Sequence, residues 1–347
     1  MNQPSFQRRR VFVAALAAAA LGRWPQPAAA QPSESAFKPS RPLRIISPQQ
    51  AGGSTDAIIR PLAQKLSELW GQPVIVDNKP GGGTIIATQA VIQSPPDGHT
   101  LGLAINTLTI NPTLRRDLPY DTLKDIAPVT QIGSVTVALV AHPSLGVSTL
   151  QEFIALARRR PGTISWASLG IGTGGHITGE LLKKRAALDI VHVPFSGSSS
   201  AYHELLPGRV QAAFVVLESA VPHIKAGALR LLAVTDPRRN KQFPDVPALD
   251  EAYSGLSYEG IFGLFAPAGV PGDTLRALHA DILKVLADPM VRQKLKQQSM
   301  DVLGSSPQEF LQAIRREIEH WRSAVVESGA QISRAPEKYS DNLLAYL

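Results

Sequence analysis

Two glycine-rich turns contain the residue types best suited to binding a small anion. In the first, residues 48–56, Gly52 and Gly53 precede the hydroxyl side chains of Ser54 and Thr55. Glycine lets the backbone approach a ligand with no Cβ in the way. The first N–H groups of a following helix point outward, and the helix dipole favours an anion. A plain turn and helix cap would use the same residues, and we expect the Asp56 carboxylate to cap backbone N–H groups.

The second turn spans residues 168–176, and its Gly170, Gly172 and Gly175 match the pattern G-x-G-x-x-G. A dinucleotide-binding fold would place an acidic residue about 20 positions later, at the end of the next strand. Asp189 comes too early, because it precedes that predicted strand. The sequence therefore favours an anion-binding helix start over a nucleotide site.

Enzyme chemistry has little support in the sequence. Ser168 lies in a segment that resembles G-x-S-x-G but lacks the first glycine. The eight histidines show no metal-ligand spacing, and we place no nucleophile–base pair. We therefore predict no catalytic residue, no metal and no cofactor. The serine-rich loop at residues 195–200 either donates further hydrogen bonds to a ligand or simply caps a helix.

The first thirty residues have the order of a secretory signal. Arg8, Arg9 and Arg10 precede an apolar run at residues 11–22, and small residues lead up to Ala30. We predict cleavage near Ala30, by the general or the twin-arginine export route, and a periplasmic location. The formal charge of +7 includes four leader arginines, so the mature chain carries +3. Its short basic runs are typical of solvated helix faces rather than of nucleic-acid binding.

The chain contains no cysteine, which excludes disulfides, thiolate catalysis and a lipoprotein anchor. Strand and helix patterns alternate from residue 43 onward, in a βαβαβ order that predicts a mostly parallel sheet covered by helices. A second α/β series follows a long β-prone run at residues 129–141, and another such run spans residues 260–266. Two lobes joined by these crossovers would bind a ligand in the cleft between them. Pro61 predicts a kink, or a helix that begins after residue 57.

A dozen short segments resemble, in order, the Bug family of solute receptors associated with tripartite tricarboxylate transporters. The resemblance covers residues 40–335. It is carried by residues 48–56, 71–74, 78–81, 96–98, 111–112, 118–121, 167–172 with 176, 192–195, 222–227, 232–235, 244–247 and 266–269.

The resemblance implies an α/β, two-lobed periplasmic binding protein of type II architecture, with two crossover strands between the lobes. The expected organisation is a signal peptide at 1–30, a flexible lead-in at 31–40, lobe I at 41–136 plus 260–347, and lobe II at 137–259. A small carboxylate would be held by turns from both lobes and delivered to the membrane subunits of the transporter by a monomeric receptor. The expected ligand-binding residues are Gln49, Gly52, Gly53, Ser54, Thr55, Asn106, Ser168, Gly170, Gly172, Thr173, Phe195, Ser196 and Gly197.

Three departures from the family pattern bear on the ligand. Gln49 replaces a usual aromatic residue, Ile85 a common Asn, and Val215 an Asp that many members carry after Phe214. Without that Asp, an ammonium group loses a partner, so we expect a dicarboxylate or an aromatic acid without a free amine. The alternatives are a receptor for a membrane signalling protein and, less favoured, a hydrolase that uses the same cleft.

Overall fold

The computed structural model describes residues 37–330. The predicted signal peptide, most of the lead-in and residues 331–347 lie outside this range. The strands are β1 (Leu43–Ser47), β2 (Val74–Asn78), β3 (Thr100–Ala104), β4 (Ile126–Val135), β5 (Val137–Ala141), β6 (Ser165–Ser168), β7 (Val191–Pro194), β8 (Ala212–Val216), β9 (Arg230–Val234), β10 (Gly260–Pro267) and β11 (Asp301–Val302).

Eleven α-helices are found in the described range, with short 3₁₀ turns at Gly82–Thr84 and Pro143–Leu145. They are α1 (Ser54–Trp70), α2 (Ile85–Ile92), α3 (Thr107–Leu114), α4 (Leu150–Arg159), α5 (Gly174–Ala186), α6 (Ser198–Leu205), α7 (Leu217–Lys225), α8 (Leu249–Ala252), α9 (Gly272–Ala287), α10 (Pro289–Lys296) and α11 (Pro307–Ser328). Between residues 37 and 330, no helix is both long and apolar enough to cross a bilayer.

The strands form two mixed sheets. The first has the order β11-β4-β10-β3-β1-β2, and the second has the order β7-β6-β8-β5-β9. Strands β1, β2 and β3 pair in parallel, as the βαβαβ pattern predicts. The prediction of mostly parallel sheets is nevertheless wrong, because β10 pairs antiparallel with β3 and β4, and β5 pairs antiparallel with β8 and β9. The crossover strands enter each sheet against the direction of its βαβ units.

Each sheet is covered by helices on both faces, and alternation along the strands divides the cores. On β1, Ile45 packs with α1 and α9, whereas the adjacent Ile46 packs with α2 and α11. In the second sheet, one face packs against α4 and α5 and the other against α6 and α7. The two sheets are therefore the centres of two lobes, as the resemblance implies.

The lobes are connected at three places along the chain. Thr136 alone separates β4 of the first sheet from β5 of the second, and the chain returns from the second lobe into β10. Helix α11 provides a third connection, because Phe310 packs in the first lobe and Trp321 packs in the core of the second. The Arg185 guanidinium also forms an ion pair with Glu327 near the end of this helix, at 2.7 Å.

One local expectation is wrong, and three helices are not indicated by the sequence pattern. Helix α1 begins at Ser54 and continues through Pro61 to Trp70, so a start after residue 57 is wrong. Helices α3 and α7 were not predicted, because Pro112 and Pro222 lie inside them and proline normally argues against a helix interior. Helix α10 was also missed; it begins just two residues after α9 ends.

Candidate functional site

The turn before α1 is fixed by Asp56 and its neighbours. The N-cap residue Gly53 has no side chain, and the Asp56 carboxylate accepts the backbone N–H of Gly52 at 2.8 Å. It also accepts hydrogen bonds from Asn78 (2.9 Å) and Arg60 (2.8 Å). Burial raises the pKa of Asp56, but these hydrogen bonds outweigh it and hold the pKa below the ordinary value. The expectation that Asp56 caps backbone N–H groups is confirmed.

Hydrogen bonds join this turn directly to the second lobe. The backbone N–H of Ser54 donates to Ser198 Oγ at 2.9 Å, so a residue of the second lobe caps the start of α1. The backbone N–H of Gln50 donates to the carbonyl oxygen of Ser196 at 3.1 Å. The Gln49 amide donates to a backbone carbonyl of the second lobe at 3.4 Å. The structure therefore has the two lobes closed against each other.

The turn before α5 is capped by its own side chains. Thr173 Oγ1 accepts the backbone N–H of His176 and donates to the carbonyl oxygen of Gly170 at 2.7 Å. Gly172 has a φ of +82°, and an added Cβ would come within 2.9 Å of Leu114 Cδ2 in the first lobe. Gly172 thus belongs to the contact between the lobes.

A serine–histidine pair lies behind this turn. Ser168 Oγ and His192 Nε2 are 2.7 Å apart. No such pair could be placed from the sequence, because Ser168 and His192 are 24 positions apart and are brought together only by the pairing of β6 with β7. Ser168 is fully buried and also bonds to the backbone of Gly170. A substrate cannot reach the hydroxyl in this closed arrangement, so the pair supports the turn.

His192 of this pair and the adjacent His176 are both neutral. Burial, the nearby charge of Lys183 and, for His192, the neighbouring His176 lower the pKa of His176 to about 4 and that of His192 to about 3. Together with Glu180, their ligand atoms lie within 4.8 Å of one another, as a metal site requires. The two imidazole rings are stacked, however, with centroids 4.6 Å apart and planes 27° from parallel. Their lone pairs lie in the ring planes and do not converge on one ion, and Glu180 already pairs with Lys183.

Two adjoining cavities lie between the lobes. The first, called the apolar cavity here, has a cavity volume of about 60 Å³ and mostly apolar walls. The starts of α1 and α5 both reach it, through Ser54 and Thr55 from one lobe and Gly174 and Gly175 from the other. Its remaining walls are formed by Gln49, Ile105, Asn106, Thr107, Val135, Val137, Leu169, Thr173, Phe214, Val216, Tyr258, Gly260, Ile261 and Phe262.

The second cavity, called the Arg115 cavity here, has a cavity volume of about 250 Å³. It shares Gln49, Leu169 and Thr173 with the apolar cavity, so the two are continuous at those residues. Its other walls are Pro48, Gly81, Gly82, Gly83, Thr84, Arg115, Gly170, Ile171, Pro194, Phe195 and Ser196. Among the described residues, Arg115 is the one formally charged side chain on the walls of either cavity.

The structure brings most of the expected ligand-binding residues to these cavities. Six line the wall of one cavity: Ser54, Thr55, Asn106, Gly170, Phe195 and Ser196. Gln49 and Thr173 line both cavities. The others support the walls from behind or join the lobes: Gly52, Gly53, Ser168, Gly172 and Gly197. Thr55 Oγ1 is buried without a hydrogen-bond partner in the described residues, so this hydroxyl is available to a ligand.

Several wall residues were missed because they come from the crossovers. Val135 and Val137 flank the β4–β5 connection, and Tyr258 and Gly260 flank the return to the first lobe. Nothing in their types or spacing indicates a site. Other missed wall residues had a sequence signal, because they lie within segments that carry the family resemblance: Pro48, Gly81, Leu169, Ile171 and Pro194.

Val215, which replaces the Asp of many family members, does not lie at either cavity. Strand alternation directs Phe214 and Val216 into the apolar cavity, whereas Val215 is buried among Ala138, Val140 and α7 on the opposite face. Val215 therefore does not report on the ligand. We still expect a ligand without a free amine, because the described walls of both cavities contain no carboxylate side chain that could pair with an ammonium group.

Comparison with known proteins places this arrangement in a family. A model described as "Tripartite tricarboxylate transporter family receptor" matches residues 58–330. The solved periplasmic binding protein BugD has a TM-score of 0.80 at 26% identity, covering 84% of this chain and 99% of BugD. The resemblance to the Bug family is confirmed by both findings.

Two further solved structures are similar and contain a ligand. Rpa4515 of R. palustris, solved with adipate, has a TM-score of 0.79 at 30% identity over 84% of this chain and 98% of its own. MatC (Rpa3494) of Rhodopseudomonas palustris, solved with malate, has a TM-score of 0.78 at 28% identity over 83% of this chain and 99% of its own. This chain therefore belongs to the tripartite tricarboxylate transporter receptors, a family of periplasmic solute-binding proteins.

Proposed function

We propose that this receptor captures a small carboxylate between its two lobes for uptake by a tripartite tricarboxylate-type transporter. The observation that carries the proposal is the meeting of two helix starts, α1 and α5, at one cavity. Both dipoles favour an anion there, and no described wall residue is an acid. Two similar receptors were solved with adipate and malate, which are both dicarboxylates.

Capture works by closure of the lobes. A ligand that touches both helix starts has more contacts in the closed arrangement than in the open one, and this difference shifts the population toward closure. Each charge-assisted hydrogen bond contributes about 1.5–3 kcal/mol. The closed form is what the membrane subunits would recognise. We further propose that the receptor is a monomer exported with cleavage near Ala30.

A ligand-dependent melting screen followed by calorimetry tests the proposal. Dicarboxylates and aromatic acids should raise the melting temperature, because a ligand at a hundredfold excess over its Kd stabilises the native state by about 2.7 kcal/mol. Matched amides and amines should not. Tight binding of an amino acid, with no binding of its deaminated analogue, would contradict the assignment of the ligand class.

The hydrolase alternative is not favoured by the site. The Ser168–His192 pair lies outside both cavity walls, and its hydroxyl is fully buried. Turnover of a bound carboxylate by the purified protein would revive this alternative. A signalling receptor would share the same fold and cleft, so the proposal of transport rests on the family.

A further inference from the structure

Arg115 is a cation at a cavity between the lobes, and it has no acidic partner among the described residues. It follows the last residue of α3, and its backbone N–H bonds to the carbonyl oxygen of Asn111 at 3.0 Å, which fixes the start of the side chain. Arg115 Nε is buried and has no hydrogen-bond partner among the described residues. No ion pair links its guanidinium to an acid in residues 37–330.

The side chain lies where the lobes meet. Arg115 Nη2 is 2.9 Å from the position that a Cβ on Gly83 would occupy, and the carbonyl oxygen of Ile171 in the second lobe is 3.1 Å from that same position. Arg115 therefore shares its cavity with the turn before α5. Beyond Ile171, the same turn continues into the start of α5, which lies at the apolar cavity.

Arg115 is half-buried, and its buried Nε lacks an acceptor among the described residues. This is unfavourable, because an unmade hydrogen bond of a buried donor costs free energy. Guanidinium presents paired N–H donors that match the two oxygens of a carboxylate. A monocarboxylate bound at the two helix starts would leave Arg115 unpaired. A ligand with a second carboxylate would satisfy it.

We infer that Arg115 binds the second carboxylate of a linear dicarboxylate whose first carboxylate lies at the starts of α1 and α5. The inference rests on the proposed function and narrows it to dicarboxylates. The ligand then extends from the apolar cavity into the Arg115 cavity past the shared residues Gln49, Leu169 and Thr173. Specificity for chain length follows, because only a ligand of matching length reaches both sites.

The test measures affinity by calorimetry for unbranched dicarboxylates of increasing length and for the monocarboxylate of each length. The variants are Arg115→Gln and Arg115→Lys. The matched control is Arg116→Gln, which removes the same charge one residue away at an exposed position. Melting temperatures of all four proteins without ligand show whether each variant is folded.

The wild-type protein and Arg116→Gln should bind one dicarboxylate length best and should bind the matched monocarboxylate about tenfold or more weakly. Arg115→Gln should weaken dicarboxylate binding about 10- to 100-fold and change monocarboxylate binding less than about threefold. Arg115→Lys should bind dicarboxylates with an affinity between those of the wild type and Arg115→Gln, because lysine keeps the charge but lacks the paired donors.

Equal weakening of both ligand sets in Arg115→Gln would show that Arg115 only supports the Gly81–Gly83 backbone, and the inference would be wrong. Unchanged dicarboxylate affinity in that variant would also overturn it, while leaving the proposed function intact. Failure of the wild-type protein to bind any carboxylate would instead remove the proposed function, and this inference with it.

Discussion

Gly172 in the second lobe packs directly against Leu114 in the first, and a Cβ on Gly172 would lie 2.9 Å from Leu114 Cδ2. Glycine is required here by its neighbour in the other lobe as well as by its φ of +82°. The second glycine turn therefore has two roles. The residues on either side of Gly172 line the cavities, and Gly172 itself allows the lobes to close.

Replacing Gly172 with alanine should hinder closure. Overpacking costs about 1–3 kcal/mol, so ligand affinity should fall about 10- to 100-fold, measured by calorimetry. Gly146→Ala is the matched control, because Gly146 has a φ of +66° but no atom within 4 Å of the added Cβ. That control should lose stability through backbone strain and keep its affinity. Equal affinity of both variants and the wild type would contradict a role for Gly172 in closure.

Replacing Ser198 with alanine should open the lobes more readily. Its hydroxyl oxygen is the acceptor for the Ser54 N–H across the cleft, and its loss leaves that donor unpaired in the closed form. The cost is about 1–3 kcal/mol, so affinity should fall about tenfold. The control is Ser200→Ala, whose hydroxyl donates to the Gly197 carbonyl within the same lobe. Affinity loss in the control equal to that in Ser198→Ala would point to general destabilisation of α6.

Replacing Asp56 with asparagine should loosen the first turn without altering either cavity wall. The carboxylate pKa is lowered in the folded protein. Its stabilising contribution is therefore fully present above the ordinary pKa and is lost as the pH falls through the folded value. Asp56→Asn should lower the free energy of unfolding at pH 7 by about 1–3 kcal/mol and flatten its decline below pH 4. Urea titrations at pH 7 and below pH 4 measure the free energy of unfolding under both conditions. If its loss in acid is the same in Asp56→Asn and in the wild type, Asp56 is not the source of that loss.

The buried histidines His176 and His192 should make the protein less stable in mild acid. The pKa of His176 is lowered to about 4, so between pH 6.5 and 4 the unfolded chain binds a proton that the folded chain does not. Stability therefore falls as the pH falls through this window, by on the order of 3 kcal/mol for His176. His176→Gln should reduce the slope, measured as the free energy of unfolding between pH 7 and pH 4.5.

Asp236 opposes this trend. Burial and the nearby Glu259 and Asp301 raise its pKa to about 6, although its hydrogen bond to Thr136 lowers it. Its folded form therefore binds a proton first, and its contribution to stability is lost as the pH rises through about 6. Because Asp236 is present in both the wild type and His176→Gln, its effect cancels in the difference between their slopes. A slope that is the same in both proteins would contradict the histidine assignment.

Much of the local structure could be predicted, because it depends on neighbours in the chain. Alternating strand and helix patterns, and glycine turns at helix starts, indicated two α/β units and an anion site. The two helices α3 and α7, which the sequence did not indicate, share one cause. Helices α3 and α7 contain prolines that penalise an isolated helix, yet packing in the lobes outweighs this penalty.

The site itself required contacts between distant residues. The sequence alone determined that the chain has two glycine turns before helices and no acid within either, apart from the capping Asp56. The fold brought Ser168 to His192, Ser198 to the start of α1, and Arg115 to the second turn. It also directed Val215 away from the cavity that Phe214 and Val216 enter. No local pattern specifies these pairings, since side-chain direction and lobe contacts follow from how the strands and crossovers pack together.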